Sequence, residues 1–61
     1  MNIYKVTYSQ KRNGKFFKKN KEHYEKAPSE MDAADRVLFM KSSNILAIHA
    51  YVHDVELVEE E

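Results

Sequence analysis

Pro28 to Ser43, PSEMDAADRVLFMKSS, is the one stretch of the chain with helical rather than alternating periodicity, and its reading decides the fold. Ser29 stands where an N-cap oxygen accepts an orphan amide of the first turn. Asp32, three residues on, makes an imperfect capping box, since Glu or Gln is the usual partner. Glu30, Asp32 and Asp35 in the first part and Lys41 at the end suit the helix macrodipole. Ser42, Ser43 and Asn44 form a polar stop. At about 3.6 residues per turn, Met31, Ala33, Ala34, Val37 and Leu38 share one broad face, with Met40 at its margin and Asp32, Asp35 and Arg36 opposite. Phe39 falls in the middle of that polar side. It reads either as a lone exposed ring or as an anchor for a partner, a use in which aromatic side chains are enriched.

Outward from this helix, both flanks read as strands. Ile3 to Gln10 alternates, with Tyr4, Val6 and Tyr8 on one face and Ile3, Lys5 and Thr7 on the other. Asn13-Gly14 is a strong hairpin signal. A strict two-residue turn sets Lys19 opposite Tyr8 and Lys21 opposite Val6, on the face the helix should cover. A one-residue slip places Phe16 and Tyr24 there instead, so a longer loop or a bulge is expected. The second strand spans Lys15 to Lys26. Its lysine-rich middle suits a sheet edge, and Ala27-Pro28 ends it. Ile45 to Val58 is the most strand-like run. Leu46, Ile48, Ala50 and Val52 alternate with Ile45, Ala47, His49, Tyr51 and His53, and then the phase changes. A bulge or break near His53-Asp54 accounts for the change.

These elements predict an α+β fold in β-β-α-β order: a three-stranded antiparallel sheet, order 2-1-3, with one helix packed on one face. Residues 1–58 form one domain, and Glu59-Glu60-Glu61 an acidic, frayed C-terminal tail. The expected core is Tyr4, Val6, Tyr8, Met31, Ala34, Val37, Leu38, Leu46, Ile48 and Val52, joined by Phe16 and Tyr24. The uncovered sheet face is expected to carry Ile3, Thr7, Phe17, Ile45, Tyr51, Val55 and Leu57. Contiguous apolar surface of that kind marks an interaction site and can pack on its own copy.

A chain of 61 residues without cysteine buries a modest share of its surface and has no disulfide to compensate. Self-association, as a homodimer, is therefore expected. No Cys/His zinc pattern, signal peptide or membrane-length apolar run is visible, which points to a cytoplasmic protein that needs no membrane. The net charge is zero but unevenly placed. Residues 1–28 hold eight basic and two acidic side chains (+6), and residues 29–61 two basic and eight acidic (−6).

Catalytic constellations are missing from the pattern. A single glycine leaves no phosphate-cradling loop, and no serine sits in a recognisable Ser–His motif. His49 and His53 on a regular strand stand about 13 Å apart, too far to share one ion. No enzyme activity, cofactor or metal is expected. Protein binding is the leading reading, with Phe39, Tyr51, Val55 and Leu57 as apolar contacts. The alternative is a nucleic-acid-binding module using Lys11, Arg12, Lys15, Lys18, Lys19 and Lys21, interleaved with Phe16 and Phe17. The same basic patch also suits an acidic protein surface, steering encounter.

The opening IYKVTY, the NGK turn, the Ala-Pro-Ser entry to a short helix and the hydrophobic closing strand resemble, in layout, the compact strand-strand-helix-strand proteins encoded by bacteriophages and other mobile elements. The likeness spans most of the chain and rests on no diagnostic motif. What it implies is an inhibitor that occupies a surface of a host enzyme or defence complex; no functional residue transfers with it.

Overall fold

Tyr4, Val6 and Tyr8 alternate with Ile3, Lys5 and Thr7, and this alternation makes β1 (Asn2–Arg12) the strand on which the others align. In the computed structural model, which describes residues 1–61, β1 is followed by β2 (Lys15–Ala27), α1 (Glu30–Lys41) and β3 (Ile48–Glu59). The strands form one antiparallel sheet in the order β2-β1-β3, and α1 packs on one of its faces, the α+β arrangement expected. β3 begins later than the apolar run does, because residues 44–47 form a turn, with Ala47 at φ 56°. At its other end β3 extends into the expected tail: Glu59 pairs with Ile3, and the Glu61 amide donates to Asn2.

Ser29 caps α1 as its sequence position implies. Its hydroxyl accepts from the Asp32 amide and donates to the Asp32 carboxylate. Gln10 donates to the Lys41 carbonyl, which satisfies an orphan acceptor at the other end of the helix. The buried apolar side chains are Tyr4, Val6, Tyr8, Ala27, Ala33 and Val37, with Val52 and Val55 packed against them. Ala33 and Val37 are small, so the helix seats close to β1. Its axis then turns Met31, expected in the core, to the solvent side, 74% exposed. Leu46, in the turn, is exposed too. The sheet is long: the molecule measures 39 × 20 × 12 Å, whereas 12 helical residues span about 18 Å.

Asn13 and Gly14 both have positive φ, the requirement of a two-residue type I′ turn. Arg12 pairs with Lys15 across it, so there is no longer loop. Instead β2 carries two register shifts, one at Phe17 and one at Lys19-Asn20. The first flips the side chains and the second flips them back. Tyr8 therefore faces Lys21 and Val6 faces His23, while Phe16 and Tyr24 lie on the face away from the helix, opposite Lys11 and Lys5. Both are half-exposed rather than core. β3 has the expected bulge: Tyr8 pairs with Val52 but Thr7 with Asp54, leaving His53 extra.

That bulge corrects the assignment of faces. Val55 pairs with Val6 and Leu57 with Tyr4, so both lie on the helix side, not on the open face. Val55 is half-buried there, and Leu57 is at the exposed margin. The open face is mostly polar in its middle, with Lys5 between Glu22 and Glu56 and Thr7 opposite Asp54. Tyr51, opposite Ser9, remains on it. Ile45 lies in the turn, and Phe17 is the extra residue of a bulge. The broad apolar face expected to seat a second copy is therefore not formed.

One hydroxyl joins the bulges on the two outer strands. Ser9 Oγ accepts from the Asn20 amide at 3.0 Å and is hydrogen-bonded to His53 Nε2 at 2.6 Å. Asn20 takes the left-handed conformation, φ 50°, which Asn tolerates better than most residues. Ser9→Ala removes both bonds, and the expected loss of unfolding free energy in urea is about 2 kcal/mol; an unchanged midpoint would show that the bulges hold without the clamp. At Ala47, where a Cβ is disfavoured, Ala47→Gly is expected to raise stability by about 0.5–1 kcal/mol in the same assay.

Candidate functional site

Two surfaces bring the sequence-selected residues together. The first is the hairpin end of the sheet. Lys11 on β1 pairs with Phe16 on β2 and His49 on β3. Its Nζ lies 4.6 Å from the Phe16 ring centroid and 5.6 Å from that of Tyr51. The two rings are 6.3 Å apart and tilted by 59°, and Lys19 Nζ is 5.7 Å from Phe16. Phe16 and Tyr51 are 45% and 44% exposed. Tyr51 thus joins the basic hairpin instead of a greasy face with Val55 and Leu57. Sequence reading missed this pairing because it needs the β1–β3 register, although the alternation of Tyr51 with Val52 carries half the signal.

Charge divides the molecule along its length. Residues 9–21 and 41–53 contain Lys11, Arg12, Lys15, Lys18, Lys19, Lys21 and Lys41 and no Asp or Glu. None of these seven takes part in an ion pair. The ion pairs instead use Lys5, His23, Lys26 and Arg36 with Glu22, Glu25, Glu56 and Glu61. All six hairpin cations selected from sequence therefore stay free. Lys18 and Lys21 pair with Gln10 and Tyr8 on the helix side, while Lys11 and Lys19 sit at the rings.

The second surface is on α1. Phe39 is 86% exposed and lines an open groove of about 510 Å³ with Glu25, Asp35, Arg36 and Met40. Arg36 closes one wall: it donates to the Lys26 carbonyl and lies 3.9 Å from Glu25. Asp35 has no such partner. Met31, Asp35 and Phe39 follow at i, i+4 and i+8 on the outward side of the helix, the spacing of anchors that a helix presents to a partner. Sequence reading found Phe39 but placed Met31 inside.

Between these surfaces the fold brings Ser9 and His53 into contact, a pair that no sequence motif announces. Ser9 is 3% exposed, and its oxygen already holds the Asn20 amide. The pair acts as a clamp and offers no open nucleophile. No three His, Asp or Glu side chains converge as a metal-ligand set, and no helix is long and apolar enough to cross a membrane. The chain matches no protein-family model, no curated protein and no solved structure in the three comparisons made.

The titration of Lys5 is clearly displaced. The hydrogen bond and charge of Glu56, then those of Glu22, hold its ammonium above the ordinary value of 10.5. A folded pKa above the unfolded one adds stability below the unfolded value and loses it as pH rises through the folded value. The stability difference between the protein and Lys5→Gln is therefore expected at pH 7 and should shrink in the alkaline range above 10.5. It should also shrink with added salt, because the group is solvent-accessible. A difference independent of both pH and salt would assign the effect of Lys5 to packing of its stem.

Proposed function

We propose that the chain is a small non-enzymatic module that acts by occupying a surface of another protein through the outward side of α1. The observation that supports this is the exposure of Phe39 on the rim of the groove between α1 and the edge strand β2. A ring so placed contributes nothing to the core, and Met31 and Met40 extend the same apolar surface. Burying one such ring is worth about 1.5–3 kcal/mol to a complex. Asp35, free in the groove, adds a preference for a basic group on the partner. The fitting occupant carries an apolar side chain to lie against Phe39 and Met40 and a Lys or Arg to meet Asp35.

A second copy is a poor occupant of this surface. Two-fold packing of α1 on α1 brings Asp35 towards its own equivalent, and like charges at close range oppose association.

Phe39→Ser tests the reading. Thermal stability should change little, by less than about 4 °C, since surface substitutions fall within about 0.5 kcal/mol. Partners captured from a lysate of the source organism on the immobilised protein should be lost on Phe39→Ser and kept on Ile45→Ser, an equally exposed substitution in the turn. The same captured set on all three proteins, or a large loss of thermal stability in Phe39→Ser, overturns the assignment.

A further inference from the structure

We propose that the hairpin end of the open sheet face binds single-stranded nucleic acid, with Phe16 and Tyr51 as base-stacking platforms and Lys11 and Lys19 on the phosphates. The site is separate from the Phe39 groove and does not rest on the reading of that groove.

The argument begins with charge. Seven cations gather at one end of a molecule of zero net charge, with no acidic residue in the segments that build that end and no ion pair to any of them. The other three Lys and Arg side chains, Lys5, Lys26 and Arg36, are all paired with carboxylates. Solubility is served by charges of either sign, so it does not explain this sorting. A polyanion does, because neutralising phosphates with lysines releases condensed counterions.

The aromatic pair narrows the polyanion to one with bases. Phe16 and Tyr51 come from the two outer strands on either side of β1, so the open face presents two half-exposed rings, tilted by 59°, with the Lys11 ammonium 4.6 Å from one and 5.6 Å from the other. Two rings on the outer strands of an open three-stranded sheet suit two unstacked bases, and stacking is indifferent to base identity. A duplex keeps its bases stacked inside and cannot use such a face. An acidic peptide would use the lysines but has no planar groups for the rings.

The two ends also differ in what would repel the ligand. Asp54, Glu22 and Glu56 begin beyond the Ser9 level of the same face. A strand is therefore confined to the tip, which sets a short site of a few nucleotides.

The test uses fluorescence anisotropy of a labelled oligothymidylate of about 12 nucleotides and its oligouridylate counterpart. The other arms are a DNA duplex of equal length, heparin and polyglutamate. Binding to the single strands is expected at low salt, with log K falling against log salt by about 0.7 per phosphate contacted. Lys11→Gln should lower that slope by about one contact. Phe16→Ala and Tyr51→Ala should each weaken binding about tenfold, within the range known for loss of one base stack. Both rings are half-exposed, so the variants should fold; if the circular dichroism of either changes, Phe16→Leu and Tyr51→Leu replace them. The DNA and RNA arms report which strand is preferred. No binding at low salt overturns the proposal. So does binding of the duplex, heparin or polyglutamate as tight as that of the single strands with no effect of the ring substitutions, which would reduce the site to a general polyanion patch.

Discussion

The Ser9 hydroxyl is the contact on which the rest of the arrangement turns. An outer strand with an odd residue inserted reverses its faces, and both outer strands carry insertions beside Ser9. By holding the Asn20 amide on one side and His53 on the other, this one side chain places the insertions at the same height on the sheet. Below it Val55 and Leu57 turn towards the helix; above it Tyr51 and Phe16 turn away. The division between a half braced by ion pairs and a half of free cations falls at the same level.

The core that results is thin. Val6 and Val37 are the largest side chains that are completely buried, so the protein relies on its ladders, its capped helix and the close approach of Ala27 and Ala33 to β1. Phe39 and Met31 stand clear because they lie on the side of α1 opposite the seated Ala33 and Val37.

Much of the fold was legible in the sequence. The alternation of β1, the Ser29 cap and the phase change at His53-Asp54 each stand for one local rule, and each forms as read, while the Asn-Gly turn is the plain two-residue one and the expected bulges lie further along β2. What failed was arithmetic across strands. One slip before Phe16 predicts Phe16 and Tyr24 in the core; the structure has none before Phe16 and two between it and Tyr24, so both stay on the open face, and nothing local in Phe17 or Lys19-Asn20 announces the number. On β3 the phase change marks the bulge, but alternation read straight through it puts Val55 and Leu57 on the open face, whereas the bulge returns them to the helix side. Of the candidate residues, Phe39 and the six hairpin cations were visible because exposure and charge are local properties. The meeting of Lys11 with Phe16 and Tyr51 was hidden because it depends on both registers at once.

The difference in length between the sheet and its one helix has a dynamic consequence. β1 beyond Gln10 has no helix over it, and the strands there are held by their ladders and by ammonium groups resting on rings. Regions with few buried apolar contacts open at low free energy, independently of the whole. Amide protons of residues 11–18 should accordingly exchange far ahead of those around Val6, giving a molecule with a firm base and a breathing tip.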